Sequence, residues 1–332
     1  MGATDPRAQL PYDDSLDGRR HRERDGLAGR LAPLAVLIAL VLAISTVEPS
    51  FLSVYSLRVL AEESSVILLL ATGQTIVVLM GGIDLSTAAL TSLVSVIIAL
   101  LLPQYGVAAV AGALGVAVLI GALQGAVHAS AQVPSFMVTL AGFGLWSGIA
   151  LAIANTTVPV VERYEAVGWL AAQDSVVPHA FVFALGVLIV FQIALARLRF
   201  GRYLHAIGLS ERVALLSGVR VSRVKTLAFA ASGLCAGLGG VAMVARTSSG
   251  SPTIADSLLL PSIAAVLIGG TAITGGHGSL ARTLLGVGII AVMRVGVAVA
   301  GFPPAYEPIV YGIVVVIAVA VTVDRRVSGS VK

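Results

Sequence analysis

Long apolar runs separated by short polar segments make up almost the whole chain. Ten runs stand out, at residues 31–47, 63–80, 86–102, 106–128, 136–154, 178–197, 225–246, 258–273, 280–301 and 306–323. Most of them approach the roughly 20 apolar residues with which a helix crosses a bilayer. The pattern predicts an all-α integral membrane protein with about ten transmembrane helices.

Polar residues are concentrated in the segments around these runs. Residues 1–30 form a charged tail that we expect to be disordered, and residues 327–332 form a second, short tail. The first run is longer than the core of a signal peptide and is followed by Val-Glu-Pro-Ser, so we interpret it as an uncleaved helix. Residues 31–326 are therefore predicted to form one transmembrane domain. Its long connections are an outer loop at 155–177 and an inner loop at 198–224.

The composition agrees with a membrane protein and excludes several other classes. Hydrophobic residues account for 57% of the chain and charged residues for 11%, and the mean hydropathy is +0.98. Because an average soluble domain has about 25% charged residues, this chain cannot cover a water-facing globule. The single cysteine, Cys235, excludes an internal disulfide. The pI of about 9.5 is better explained by positive residues that accumulate on the cytoplasmic side of a membrane protein than by nucleic-acid binding.

Lys and Arg residues are distributed unevenly between the two sides that ten helices would define. With the N-terminus inside, the inner segments hold seventeen of the 21 Lys and Arg residues, seven of them at 197–225. The outer segments hold only Arg58, Arg163 and Arg246, and Arg294 lies within a run. Positive residues accumulate on the cytoplasmic side of membrane proteins, so both termini are predicted to be cytoplasmic.

An acidic residue interrupts the apolar pattern in GQTIVVLMGGIDLSTAAL, residues 73–90. Gly81 and Gly82 allow the backbone to break or reverse, and Gly82 is expected in a conformation that a side chain resists. Asp84 or Ser86 is expected to accept from the free N–H groups that open the next helix. Two interpretations stay open for Asp84, namely a helix cap at the membrane interface and a residue of a transport pathway.

The inner loop 198–224 contains a predicted short helix, 211–217, in basic surroundings. Ser210 is expected to cap this helix and Gly218 to close it. An apolar stripe with a basic rim suits docking on a soluble partner, and a solvated loop that only fixes topology is the alternative. The candidate docking residues are Ser210, Glu211, Arg212, Val213, Ala214, Leu215, Leu216, Ser217 and Gly218.

Glycine is abundant, with 36 residues, and occurs in two kinds of pattern. Within the runs, GxxxG spacings predict close helix packing inside the chain, with a dimer seam as the alternative. They occur at Gly121/Gly125, Gly144/Gly148 and Gly233/Gly237. Between the eighth and ninth runs lies a glycine-rich inner loop with Gly269, Gly270, Gly275, Gly276 and Gly278. His277 in this loop is expected at the surface, because no other metal-ligating residue is near it in the sequence.

Motifs of catalysis are missing from the sequence. The only lysines are Lys225 and Lys332, and neither belongs to a GxxxxGK[ST] phosphate loop. HExxH, paired-cysteine and GxSxG patterns do not occur either. We therefore predict a pore subunit that is not an enzyme and that has neither a metal site nor a cofactor of its own.

Four segments follow one another in a specific order along the chain. They are GGIDLS at 81–86, GRYLHAIG with SERVALLSGV at 201–219, SGLCAGLGG at 232–240 and IGGTAITGGHGS at 268–279. Together they resemble the membrane permease subunits of bacterial ABC importers of the ribose type, which are close to the branched-chain amino acid permeases. The resemblance covers about residues 31–326. Gln74, where methionine is frequent, and His277, where arginine is frequent, depart from the family pattern.

The resemblance implies a permease for monosaccharide uptake across the bacterial inner membrane. It further implies a homodimer or a heterodimer with a sister permease, an extracytoplasmic sugar-binding protein, and a separate cytoplasmic ATPase that binds ATP and Mg. Residues 210–219 match the family's coupling segment, and Gln74 with residues 81–86 is placed at a helix break near the pathway. Branched-chain amino acids or nucleosides are the alternative cargoes. An ion-driven secondary carrier and a membrane-embedded enzyme are the rival functions.

Overall fold

The structure, a computed structural model, describes residues 32–172 and 177–299, together with 301, 303–306, 308–309 and 312–313. The predictions for the tails 1–30 and 327–332 and for most of the last run, 306–323, fall outside these residues. In the described part of the chain, almost all regular structure is helical, as the apolar pattern predicts.

The helices that cover the apolar runs are long and closely spaced. In chain order the described helices are α1 Ala32–Val47, α2 Val54–Leu79, α3 Thr87–Tyr105, α4 Val107–Ser130, α5 Ser135–Ile153, α6 Glu165–Gly168, α7 His179–Arg197, α8 Arg199–Leu209, α9 Glu211–Leu216, α10 Val221–Thr247, α11 Leu259–Ile268 and α12 Leu280–Val299. Seven of them, α2, α3, α4, α5, α7, α10 and α12, are long and apolar enough to cross a membrane. The chain is thus an all-α integral membrane protein, and the count of ten spans stays a prediction.

Two helix boundaries differ clearly from the predicted runs. Helix α2 begins at Val54, nine residues before the predicted start at 63, because Ser53 caps it by accepting from the Ser56 N–H at 3.2 Å. Helix α11 was expected to extend to 273 but ends at Ile268. Gly270 has φ +80°, a left-handed conformation that ends a helix. At ten residues, about 15 Å, α11 is too short to cross a bilayer.

Helix α10 lies at the centre of the bundle and packs on α2, α3 and α4. Its contact with α4 is close because glycines from both helices meet there. Gly121 and Gly233 face each other, and Gly125 and Gly237 also lie in this contact. The prediction of internal packing is therefore right for these two GxxxG spacings. In contrast, no described atom lies within 4 Å of the side that Gly144 and Gly148 present.

The two ends of the bundle are built differently. Helices α8 and α9 lie at one end, which we call the basic end because residues 197–225 carry seven positive charges. The opposite end carries the strand pair β1 (Val158–Pro159) and β2 (Ser249–Gly250), which joins the 155–177 connection to the end of α10. The positive-inside rule predicts that the basic end is cytoplasmic.

Candidate functional site

The segment between α2 and α3, residues 80–86, does not lie at the edge of the bundle but runs back into it. Asp84 contacts Ser232, the twelfth residue of α10. At a rise of 1.5 Å per residue, Ser232 lies about 17 Å along α10 from its first residue at the basic end. Helix α3 therefore begins inside the bundle, and we call residues 80–86 the buried connector.

Backbone groups of Ile83, Asp84 and Leu85 in the buried connector bind polar side chains of the helices around it. The N–H of Ile83 donates to Ser135 Oγ at 2.9 Å, and the N–H of Leu85 donates to Thr139 Oγ1 at 3.0 Å. The Gln74 amide, oriented to satisfy both partners, donates to the Asp84 carbonyl oxygen at 3.0 Å and accepts from the Asp84 N–H at 3.3 Å. Irregular backbone is tolerated at membrane depth only where protein satisfies it in this way.

The Asp84 carboxylate joins the buried connector to α10. Its Oδ1 accepts from the Ser86 N–H at 3.0 Å and from the Ser86 hydroxyl at 2.6 Å. Its Oδ2 accepts from the Ser232 hydroxyl at 2.8 Å. Asp84 is only 2% exposed. The carboxylate is thus held by three neutral donors from two separate elements.

Ser86 extends this network to α4. Its oxygen lies 2.9 Å from the Gln124 amide oxygen, but its single proton already serves Asp84. As placed, Gln124 Nε2 is buried with no partner among the described residues. Rotating the amide by 180° directs the nitrogen at the Ser86 oxygen, which leaves the Ser86 proton to Asp84. The network therefore runs from α10 through Asp84 and Ser86 to α4.

Two expectations for this segment need correction. The cap at the membrane interface was one of two interpretations of Asp84, and its capping extends only to the N–H of Ser86, the residue before α3, while its other oxygen binds Ser232 of α10. Ser86 itself makes no capping hydrogen bond. The strained glycine is Gly81, with φ +82°, and not Gly82, whose φ is not positive. Whether Asp84 serves the pathway stays a prediction.

A junction of glycines connects the buried connector to α8. A Cβ on Gly208, in the last turn of α8, would collide with the Leu79 carbonyl oxygen and the Gly276 N–H. Gly276 donates its N–H to that same Leu79 oxygen at 2.8 Å. Gly275, with φ +85°, lies against the backbones of Gly81 and Gly208. The end of α2, the end of α8 and the glycine-rich loop therefore meet without intervening side chains.

The other glycines of this loop shape the turn between α11 and α12. Gly270 and Gly278 also have positive φ, and Gly269 packs against the backbone of Arg282 in α12. His277 is exposed, as expected. Its carbonyl oxygen accepts from the Ala272 N–H at 2.9 Å, which closes the loop on itself. The geometry assigns these glycines a packing role, and any part in transport stays a prediction.

Helix α9 is anchored at its beginning. Ser210 accepts from the Val213 N–H at 3.4 Å, and Gly218 ends the turn with φ +81°, so the predicted helix forms with the predicted boundaries to within one residue. The Glu211 carboxylate binds Lys225 of α10 with both oxygens, at 2.7 and 2.8 Å. Glu211 thus fixes α9 to α10, a pairing that its position in the sequence did not reveal.

Most candidate docking residues of α9 point away from the protein. Leu216 is 80% exposed, whereas Ala214 is 3% exposed and packs inside. Ala214 therefore does not belong to the exposed surface of α9, and the docking role of the segment stays a prediction. Ser217 lies exposed at the end of α9, and its hydroxyl donates back to the Val213 carbonyl oxygen at 2.9 Å. The exposed apolar and basic residues form what we call the coupling surface, made of Leu209, Arg212, Val213, Leu215 and Leu216.

The comparisons with known proteins agree with this arrangement. The family described as branched-chain amino acid transport system / permease component matches residues 57–319. The chain belongs to this permease family. The ribose import permease protein RbsC of Escherichia coli (strain K12) is 33% identical over 316 residues, covering 92% of this chain and 97% of that protein.

Other relatives show the same near-complete overlap. RbsC of Bacillus subtilis (strain 168) is 32% identical over 314 residues, covering 92% of this chain and 95% of its own. The fructose import permease protein FrcC of Rhizobium meliloti is 31% identical over 305 residues, with 87% and 84% covered. The resemblance to ABC-importer permeases is confirmed, and this permease is a multi-pass protein of the inner membrane.

Proposed function

We propose that this permease forms the membrane pathway of an ABC importer for a monosaccharide. The observation that carries the proposal is the similarity, over 92% of the chain, to the ribose import permeases of Escherichia coli and Bacillus subtilis. Sugar is delivered by an extracytoplasmic binding protein, and a separate cytoplasmic ATPase, which binds ATP and Mg, drives its uptake. The permease itself catalyses no chemical step.

A sugar is a better candidate cargo than a branched-chain amino acid. The family as a whole is described by amino acid transport, but several relatives that match this chain over most of its length are named for ribose or fructose. The buried connector is consistent with a neutral cargo, because Asp84 is already held by three donors. A carboxylate engaged in this way is poorly placed to balance the ammonium group of an amino acid.

The coupling surface is the proposed docking site for the ATPase. Leu209, Val213, Leu215 and Leu216 are all more than 60% exposed on the basic end of the bundle. Apolar side chains in water are the usual material of a protein interface when a charged rim surrounds them. The exposed Arg212 and, nearby, Arg220 and Arg223 provide that rim.

Movement of the ATPase is proposed to reach the pathway through the glycine junction. Helix α8 leads directly into α9, and Gly208 of α8 lies on the Leu79 carbonyl at the end of α2. Displacement of α9 would therefore move the end of α2 and, through Gly81, the buried connector. Two permease copies, or one copy and a sister permease, are proposed to enclose the complete pathway.

Reconstitution tests the dependence on a separate ATPase. Proteoliposomes would contain the permease alone or with its ATPase, and uptake of radiolabelled ribose and fructose would be measured with the binding protein present. We expect uptake only with the ATPase and ATP, independent of a proton gradient. Full uptake by the permease alone that collapses with the proton gradient would contradict the proposal and favour a secondary carrier.

The substitution Leu216→Asp tests the docking site. Burying an unpaired charge in an apolar contact costs several kcal/mol, so we expect co-purification of the ATPase to fall at least tenfold. Ser222→Asp is the matched control, because it adds the same charge to an exposed position on the same end of the bundle. Normal ATPase association with Leu216→Asp, or an equal loss with Ser222→Asp, would contradict the assignment.

A further inference from the structure

Three charged side chains meet between α2, α10 and α12, far from the buried connector. Glu63 Oε1 lies 2.6 Å from Arg246 Nη2, and Glu63 Oε2 lies 3.1 Å from Arg294 Nη1. The side chains of Glu63 and Arg294 remain 22% and 20% exposed. Both oxygens of one carboxylate are therefore fixed by two guanidinium groups, while the group still faces open space.

That open space is a groove between α2 and α12. Its volume is about 440 Å³, within the range of about 300–1,000 Å³ that small-molecule sites have. Polar and apolar residues share its walls, among them Tyr55, Ser56, Val59 and Glu63 of α2 and Arg294 and Ala298 of α12. This mixture distinguishes the groove from the apolar outer faces of α4 and α5, which suit contact with lipid tails.

The groove lies toward the end of the bundle opposite the coupling surface. Glu63 is the tenth residue of α2, which runs toward the basic end, and Arg246 is the second-last residue of α10, which runs away from it. Charged side chains on membrane helices face the bundle interior or water and not lipid. The groove is therefore a hydrated recess on the predicted extracytoplasmic side.

We propose that this groove is a sugar-binding station through which the cargo passes on entering the permease, an inference that rests on the proposed function. A carboxylate has about four acceptor sites, so Glu63 can accept from sugar hydroxyls while both arginines hold its orientation. Val59 and Ala298 provide apolar contact for the C–H face of the sugar ring. The Tyr55 ring, 77% exposed, lies at the same wall.

Filling the groove tests the inference without removing a hydrogen bond. The complete importer would be reconstituted with Val59→Phe or Ala298→Phe in the permease. Uptake of radiolabelled ribose and fructose would be measured beside ATP hydrolysis stimulated by the loaded binding protein. Leu57→Phe is the matched control, because Leu57 is exposed on the same helix and does not line the groove. We expect groove-filling variants to lose at least fivefold in uptake and to keep stimulated hydrolysis within twofold.

Substitution of the carboxylate adds a second, independent measurement. Glu63→Gln keeps an acceptor oxygen but loses the ion pairs, and we expect uptake of the two sugars to change by different factors. Uptake within twofold of wild type in both groove-filling variants would overturn the inference. So would parallel loss of uptake, hydrolysis and permease dimerisation, because the groove would then be covered by the second copy. Failure of the wild-type importer to transport any monosaccharide that its binding protein binds would instead contradict the proposed function.

Discussion

Replacing Asp84 by asparagine tests whether this residue acts as a charge or as a hydrogen-bond acceptor. An asparagine oxygen at the Oδ1 position keeps both bonds to Ser86, at 3.0 and 2.6 Å. The amide nitrogen then faces the Ser232 oxygen, which can accept instead of donating. The neutral asparagine makes weaker hydrogen bonds than the carboxylate, but the substitution also removes a buried charge, and the two effects on stability offset each other. We therefore expect Asp84→Asn to be as stable as wild type and to transport a neutral sugar at a near-normal rate.

Alanine at the same position removes the acceptor entirely. The Ser86 N–H then lies buried without a partner, which costs about 1–3 kcal/mol. The hydroxyls of Ser86 and Ser232 can rotate toward other acceptors, so each loses only about 0.5–1.5 kcal/mol. The expected loss for Asp84→Ala is thus about 2–6 kcal/mol in the free energy of unfolding.

Thermal unfolding in nanodiscs and uptake in proteoliposomes separate the two roles. Ser232→Ala serves as a second variant, and in combination with Asp84→Ala it should add little to the loss, because the bond between the two residues is already removed. A tenfold loss of uptake in an Asp84→Asn permease with normal abundance and melting temperature would show that the charge itself serves transport. Wild-type stability of Asp84→Ala would refute the hydrogen-bond account.

Further predictions concern the glycine junction and the anchor of α9. Gly208→Ala should cost about 1–3 kcal/mol, because the backbone atoms that its Cβ would meet cannot move aside cheaply. Gly81→Ala should cost about 1–2 kcal/mol through its φ of +82°. Gly82→Ala should cost less, because its φ is not positive and its Cβ would meet only side-chain atoms, at 3.0 Å or more. Equal melting temperatures for the three variants would contradict both accounts. Glu211→Gln should lower the melting temperature more than Lys225→Met. Gln leaves the Lys225 ammonium, which is 9% exposed, with a weaker partner, whereas Met leaves the Glu211 carboxylate, which is 56% exposed, in contact with water. The reverse order of melting temperatures would refute this reasoning.

The apolar runs were sufficient to predict the class of fold and the position of most helices. A 20-residue apolar stretch can satisfy its backbone in a membrane only as a helix or in a closed barrel, so length and hydropathy leave little choice. Local capping signals also predicted helix ends correctly. Ser210 and Gly218 predicted the ends of α9 because capping depends on residues within one turn.

The sequence could not show where the polar residues of different runs meet. Gln124, Thr139 and Ser232 stand alone within apolar segments, and their polarity was the one signal that could have singled them out. Their partners lie 38 to 148 positions away in the chain, and no periodicity relates them. The sequence also gave no sign that Glu63 and Arg294 meet. Glu63 stands at the predicted start of a run and Arg294 is an isolated charge within another, and their ion pair forms only where α2 and α12 pack together.

The sequence by itself determined that this chain folds as a helical membrane protein of a permease family, with a short capped helix in a basic loop. Only the tertiary structure decided that α3 begins inside the bundle and that Ala214 faces inward while Leu216 faces outward. It also decided that α2, α8 and the glycine-rich loop meet at one junction. Hydropathy and capping act over one helical turn or one span, whereas these contacts depend on how the helices pack against one another.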